Sequence, residues 1–164
     1  MPTGRPPRWA AAATLAALVL GAAALGGCGP FGGEEELSRA EFISQGDQIC
    51  KRGREQYLEL QKDPPQSAAE AAELTRSLIE ITQNEIDDLR DLNAPLDSEE
   101  ALEDYLDSRE AGLEVLEKGL AAAEDEDSEA YAEAQAQIAR QQVDRARLAE
   151  KVGFSECSRP LTGG

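Results

Sequence analysis

Residues 38–50 read SRAEFISQGDQIC, and this stretch sets the pattern for the whole fold. Ser38 is followed three residues later by Glu41, which is the capping-box pattern of a helix N-terminus. Pro64 and Pro65 then end the predicted helix, because proline cannot continue an α-helix. Between these limits, apolar or small residues recur at intervals of three and four and predict one buried helix face: Phe42, Gly46, Ile49, Cys50, Gly53, Tyr57 and Leu60.

Two further helices are marked by similar signals. Ser67 and Glu70 form a second capping-box pattern, and Asn93-Ala94-Pro95 stops the helix that follows. The third helix is predicted to begin near Asp97 and to end at the acidic turn Glu124-Asp125-Glu126-Asp127. The predicted buried faces are Leu74, Leu78, Ile81, Thr82, Ile86, Leu89 and Leu92 on the second helix, and Leu102, Tyr105, Leu106, Gly112, Leu113, Leu116, Gly119, Leu120 and Ala123 on the third.

The fourth helix is predicted over Ser128–Val152. Gly153 fits the left-handed residue that closes many helices, and Phe154 is expected to fold back onto the last turn. On the third helix, Gly112 and Gly119 lie one heptad apart, where a neighbouring helix can approach closely. The predicted inner residues of the fourth helix are Tyr131, Ile138, Ala139, Val143, Ala146, Ala149 and Val152.

These segments predict an all-α fold. Helices of about 25 residues, each about 37 Å long, are joined by short loops, which favours antiparallel neighbours. We therefore expect an antiparallel up-down-up-down four-helix bundle. A three-helix bundle with one broken helix and a longer coiled-coil hairpin are the alternatives.

The composition is strongly acidic and excludes several classes of function. The chain has 33 Asp and Glu against 16 Lys and Arg, a formal net charge of −17, which disfavours nucleic acid as a partner. A solvated acidic surface is the expected meaning of this charge, and a cationic partner is the alternative. Histidine is absent, which excludes the zincin, zinc deaminase and di-iron patterns and any Ser–His or Cys–His nucleophile.

The N-terminal region has the layout of an export signal. Arg5 and Arg8 precede the apolar run Trp9–Leu25, and Leu25-Gly26-Gly27-Cys28 follows. This last motif resembles the lipobox of bacterial lipoproteins. The resemblance implies cleavage between Gly27 and Cys28 and attachment of diacylglyceryl and acyl chains such as palmitate to Cys28. A retained membrane anchor and an ordinary signal with a chance cysteine are the alternatives.

The lipobox resemblance divides the chain into three parts. Residues 1–27 are the predicted lipoprotein signal peptide, and residues 28–37 are a lipidated flexible tether rich in Gly and Glu. Residues 38–164 are the helical bundle domain with a C-terminal disulfide tail. We expect the domain to be extracytoplasmic and lipid-anchored to the cell membrane through Cys28. Without residues 1–27 the chain would contain no His, Met or Trp.

The two other cysteines form an even pair. If Cys28 carries lipid, Cys50 and Cys157 remain in an oxidising compartment, and a disulfide between them is expected. It would close most of the domain into a loop and stabilise it by about 4–5 kcal/mol. Two free buried thiols are the alternative. Phe42–Cys50 and Val152–Cys157 together resemble small helical lipoproteins of actinobacterial type, a resemblance that implies the bundle and the disulfide but no catalytic residue.

The acidic side chains offer only weak candidates for chemistry. Asp125, Asp127 and Glu129 have the spacing of a calcium loop, but Ala130 and Ala136 stand where that loop needs Gly and Glu, so no metal or cofactor is predicted. Carboxylate pairs one turn apart suit acid–base work only inside a pocket, and a solvated face is expected instead. These pairs are Glu99 with Glu103, Glu100 with Asp104, and Glu110 with Glu114.

We therefore expect a non-enzymatic envelope lipoprotein that binds a protein partner or has a structural role. The alternative is a small-ligand binding module with a cavity between the helices. A cavity of about 300 Å³ or more with convergent polar groups would favour the ligand, and a solid Leu and Ala core would exclude it. The side chains of the fourth helix that are candidates to line such a cavity are Gln135, Gln137, Gln141, Gln142, Arg140, Arg145 and Arg147.

Overall fold

The computed structural model describes residues 37–160, which form a four-helix bundle. The helices are α1 (Arg39–Leu60), α2 (Ala68–Arg90), α3 (Glu99–Glu124) and α4 (Ser128–Val152), and no strand occurs in this part of the chain. The predicted all-α, antiparallel four-helix bundle is thereby confirmed. The predicted signal peptide, the lipobox with Gly27 and Cys28, and nearly all of the predicted tether lie outside the described residues.

The capping signals place the starts of α1 and α2. The Glu41 amide donates to Ser38 Oγ at 3.3 Å, and the Ser38 amide donates to Glu41 Oε2 at 3.1 Å, which confirms the capping box. At α2 only half of the predicted box forms. The Glu70 amide donates to Ser67 Oγ at 3.2 Å, but the Glu70 carboxylate accepts from the Gln66 amide at 2.7 Å rather than from Ser67.

The start of α3 lies two residues after the predicted position near Asp97. Ser98 is the N-cap residue, but its side chain makes no capping hydrogen bond. Its hydroxyl donates to Asp97 Oδ1 at 3.0 Å and accepts from Arg39 Nη1 at 2.8 Å. The Asp97 and Ser98 side chains therefore connect the loop to the start of α1 instead of capping α3.

Both ends of α4 follow the local sequence. Asp127 Oδ1 accepts from the amides of Glu129 and Ala130 and caps the N-terminus. At the other end Gly153 has a left-handed backbone with φ of 103°. The Phe154 amide donates to the Ala149 carbonyl at 2.9 Å, which confirms the predicted Schellman closure.

The C-terminal tail, residues 153–160, joins the end of α4 to α1. The Phe154 ring packs on Phe42 with ring centroids 5.1 Å apart. Asp47 accepts hydrogen bonds from the Ser155 hydroxyl and the Glu156 amide, each at 2.8 Å. The Cys50–Cys157 disulfide, with its Cα atoms 5.1 Å apart, completes this attachment and confirms the predicted pairing.

Buried apolar residues form two clusters along the bundle. One cluster lies around the disulfide and the tail and consists of Phe42, Ile49, Cys50, Ile86, Leu89, Leu102, Tyr105, Leu106, Ala149, Val152 and Phe154. The other cluster lies near the opposite end and consists of Ala71, Ala72 and Ala123, with Leu120 and Tyr131 against it. Between the two clusters, α2, α3 and α4 contribute both apolar and charged side chains, among them Ile81, Glu85 and Arg109. None of the four helices in the described part has the apolar length required to cross a membrane.

The predicted inner face of α4 is partly wrong. Val143 is 72% exposed and Ala139 is exposed, whereas Ala134 and Arg145 are buried. The inner face runs through Ile138, Gln142, Arg145 and Ala149 at spacings of four, three and four, so polar residues occupy its middle. Val143 was predicted to be buried because it is apolar, but on the helix it lies next to the inner face rather than within it.

Candidate functional site

A cavity of about 100 Å³ lies between the two apolar clusters and is lined by residues from all four helices and the C-terminal tail. Tyr105 and the Cys50–Cys157 disulfide form the wall nearest the larger cluster. The exposed residues Gln135 and Arg159 also belong to the lining, so the cavity reaches the protein surface. It is therefore accessible to molecules from solution.

A buried ion pair forms one side of the cavity. Arg109 Nη2 on α3 lies 2.9 Å from Glu85 Oε2 on α2, and the two side chains are only 13% and 10% exposed. Gly53 on α1 makes room for this carboxylate, because a Cβ there would stand 2.5 Å from Glu85 Oε2. Burial raises the pKa of Glu85, although the charges of Arg109 and Arg145 oppose the shift.

Arg145 on α4 contributes a second cation to the same cavity. The residue is 9% exposed, and within residues 37–160 its guanidinium has no hydrogen-bond acceptor and no carboxylate at ion-pair distance. Every other arginine in this range forms an ion pair with Asp or Glu. Burial lowers the pKa of Arg145, and the nearby positive charge of Arg109 lowers it further.

The close approach of Arg145 to α3 depends on Gly112. Arg145 Nη1 lies 3.1 Å from the position that a Cβ on Gly112 would occupy. The space that the sequence predicted for a closely approaching helix at Gly112 is instead filled by the guanidinium of Arg145. At Gly119 the nearest neighbour is a small side chain, because Ala134 Cβ would lie 3.4 Å from an added Cβ.

Two further guanidinium groups in the lining have donors without acceptors. The buried Nε groups of Arg54 and Arg109 have no hydrogen-bond partner within the described part of the chain. Arg54 also forms an ion pair with Glu156 of the tail. Desolvation raises the pKa of Tyr105 to about 12, so this buried phenol is neutral under ordinary conditions. The cavity thus offers several N–H donors and an excess of positive charge.

The predicted catalytic and metal candidates do not form a site. All six members of the carboxylate pairs on α3 are exposed, as expected for a solvated face. Two of these carboxylates reach cations on neighbouring helices, because Glu110 pairs with Arg90 and Asp104 lies 4.0 Å from Lys151. In the predicted calcium-loop segment, Asp127 uses its carboxylate to cap α4. Within residues 37–160 no group of three or more Cys, Asp or Glu side chains is placed to hold a metal ion.

The candidates on α4 divide into two groups. Gln135, Gln142 and Arg145 line the cavity. Arg140 and Arg147 are exposed and pair with acidic residues of their own helix. Gln137 and Gln141 are half-buried outside the lining.

Glu85 and Arg109 were not among the candidates predicted from the sequence, although the sequence contains a signal for them. Glu85 lies three residues after Thr82 and four before Leu89, both of which were assigned to the buried face of α2. Arg109 lies four residues after Tyr105 and three before Gly112 on α3. A charged residue in register with the buried face of each helix was the available signal.

Comparisons with protein-family models, with curated proteins and with solved structures found no match to this chain.

Proposed function

We propose that this protein is a membrane-anchored extracytoplasmic lipoprotein whose helical bundle binds a small molecule in the cavity between the helices. The observation that carries the proposal is the cluster of Glu85, Arg109 and Arg145 around this cavity. Its convergent polar groups meet one of the two criteria for a ligand site, and its volume of about 100 Å³ limits the ligand to a few non-hydrogen atoms.

A purely structural role explains the buried charges less well. Burying an ion pair costs desolvation energy, and replacing it by apolar residues of similar size is often neutral or stabilising. An unpaired buried guanidinium is more costly still. A bundle that served only as a spacer would be more stable with Leu and Ala at Glu85, Arg109 and Arg145, so their presence favours a binding role.

We propose binding without catalysis. The chain has no histidine, and the Glu85 carboxylate is engaged by Arg109. A general base would need a free carboxylate or imidazole beside a reacting group. The protein-partner role that the sequence analysis favoured has weaker support. Leu96 and Val143 are the large apolar side chains exposed in the described residues, and isolated exposed apolar residues are common on soluble proteins.

The ligand role is tested by filling the cavity. Ala146 lines the cavity, whereas Ala139 on the same helix is exposed, so Ala146→Leu and Ala139→Leu form a matched pair. Thermal unfolding of the lipoprotein in non-ionic detergent is measured with propionate, propionamide and propylamine. At least one compound should raise the Tm of the wild type and of Ala139→Leu but not of Ala146→Leu. The absence of any such shift would contradict a ligand role.

The lipid anchor is tested separately. Cys28→Ser should abolish incorporation of a labelled palmitate analogue and release the protein from membranes, because Leu25-Gly26-Gly27-Cys28 supplies the proposed acylated thiol. Cys157→Ser, expressed in parallel, should remain labelled and membrane-bound. Unchanged membrane association of Cys28→Ser would instead indicate a retained N-terminal helix.

A further inference from the structure

We propose that the ligand of the cavity is a short monocarboxylate whose carboxylate group is bound by Arg145. This inference rests on the proposed function and specifies its ligand class. Three independent features of the cavity support it, namely its charge balance, its unused hydrogen-bond donors, and the apolar side chains between them.

The charge balance favours an anion with a single charge. Among the buried charged side chains of the lining, Glu85 and Arg109 neutralise each other at 2.9 Å, and Arg54 pairs with Glu156. This leaves the guanidinium of Arg145 as the uncompensated buried charge. One bound monoanion would neutralise these buried charges, whereas Arg159 is largely exposed to solvent. A dianion such as hydrogen phosphate would add a second negative charge close to Glu85, and like charges in a low-dielectric interior repel strongly.

The unused donors favour a carboxylate over a spherical anion. A guanidinium is planar and presents paired N–H groups that match the two oxygens of a carboxylate. Arg145 has none of its N–H groups engaged within residues 37–160, and the buried Nε groups of Arg54 and Arg109 lack acceptors there too. A ligand with two acceptor oxygens would occupy the free N–H groups of Arg145 and bring an acceptor close to the buried Nε groups of Arg54 and Arg109.

The remaining walls favour a short hydrocarbon portion. Leu78, Ile81, Leu116 and Ile138 line the cavity together with the charged groups. Apolar surface gains free energy when it contacts a hydrocarbon group instead of water. A cavity that accommodates benzene has a volume of about 150 Å³. The smaller cavity here suits an acid of about two to four carbons.

The experiment compares propionate with its neutral isostere propionamide on the full lipoprotein in detergent at matched ionic strength. The variants are Arg145→Met and the control Arg147→Met, which replaces an exposed arginine two residues further along α4. Propionate should raise the Tm of the wild type and of Arg147→Met. Arg145→Met should lower the affinity for propionate about tenfold or more, the value of a lost charged hydrogen bond. Propionamide should have little effect on any of the three proteins.

Each other outcome has a defined meaning. A Tm shift with propionamide or propylamine that Ala146→Leu removes, without one for propionate, would overturn the carboxylate and leave the cavity a ligand site. If inorganic phosphate raises the Tm and propionate does not, the carboxylate proposal is overturned and the ligand is an inorganic oxyanion. A propionate shift that persists in Arg145→Met would place binding elsewhere. No shift with any compound would contradict both proposals.

A second variant, Arg145→Lys, distinguishes loss of binding from loss of folding. Arg145→Lys keeps the charge but loses the paired N–H geometry, so it should bind propionate more weakly than the wild type and more tightly than Arg145→Met. Arg145→Met itself is expected to fold, because it removes an uncompensated buried charge. Equal affinity of the wild type and Arg145→Lys for propionate would contradict two-point binding of the carboxylate.

Discussion

The ring of Phe154 lies against the backbone of Gly46, where a Cβ would stand 2.2 Å from the ring atom Cε1. Phe154 follows the residue that closes α4, and Gly46 lies in the first half of α1. The contact is possible only because Gly46 has no side chain. It places a large, fully buried ring in the core and anchors the tail that also carries Cys157.

Gly46→Ala should therefore destabilise the protein by about 1–3 kcal/mol, since the added methyl overpacks a rigid buried ring. Gly119→Ala is the matched control, because its methyl would meet Ala134 Cβ at an ordinary 3.4 Å. This control should gain up to about 1 kcal/mol through helix propensity. Urea unfolding measures both effects. Equal stability of the two variants would contradict the close packing of Phe154 on Gly46.

Arg109→Met should cost about 3–5 kcal/mol at neutral pH, because it leaves the Glu85 carboxylate buried without its ion-pair partner. The double variant Glu85→Leu/Arg109→Met should recover most of this loss, since it removes both charges. Arg90→Met provides the comparison, because Arg90 and Glu110 form an exposed pair whose loss should cost less than about 1 kcal/mol. A double variant no more stable than Arg109→Met would show that the unpaired Glu85 carboxylate is not the cause of the loss.

Stability should contain a pH-dependent contribution from Glu85. Its pKa is raised above 4.5 in the folded protein, first by burial, so the unfolded chain loses the proton at lower pH than the folded protein does. The contribution is fully present below the unfolded pKa and is lost as the pH rises through the folded pKa. The wild type should therefore lose stability as the pH rises from the unfolded to the folded pKa of Glu85, whereas Glu85→Gln should not. The free energy of unfolding of the variant minus that of the wild type should increase over this pH range. A relative free energy that stays constant would refute the raised pKa.

Cys50→Ser/Cys157→Ser should lose about 2–5 kcal/mol of stability while retaining its helix content, because the disulfide constrains the unfolded chain and the helix caps are local. Intact-mass measurement checks the pairing in the wild type. Thiol alkylation should add no label at Cys50 or Cys157 before reduction and two labels after it. Labelling at these two positions without reductant would show that the bond is absent.

Tyr105 should ionise at higher pH than an ordinary tyrosine. Desolvation is the main cause that raises its pKa to about 12, and the same cause raises the pKa of the partly buried Tyr57. Absorbance at the tyrosinate band during alkaline titration measures this ionisation. The ionisation step at the highest pH should be missing from the titration curve of Tyr105→Phe. If that step persists in the variant, it belongs to another tyrosine.

The helix ends show how far local sequence determines this fold. The capping box at Ser38, the cap at Asp127 and the Schellman closure at Gly153 involve residues within one turn of one another, so their geometry depends on the sequence alone. At α3 the sequence predicted a start near Asp97, and the N-cap is the adjacent Ser98, whose hydroxyl binds the distant Arg39 instead of capping the helix. A tertiary contact thus occupies a hydroxyl that local preference would assign to the helix cap.

Sequence periodicity and helix-end signals predicted the four amphipathic helices and the bundle, because these depend on residue spacing. The Cys50–Cys157 pair was predicted because the lipobox resemblance set Cys28 aside and left two cysteines. The cavity could not be predicted in the same way. Glu85, Arg109 and Arg145 lie on three different helices, and only the packing of those helices decides which charges are paired and which face an open space. The chemistry of a buried charge depends on the charges and donors beside it, and these neighbours come from helices that are distant in the sequence.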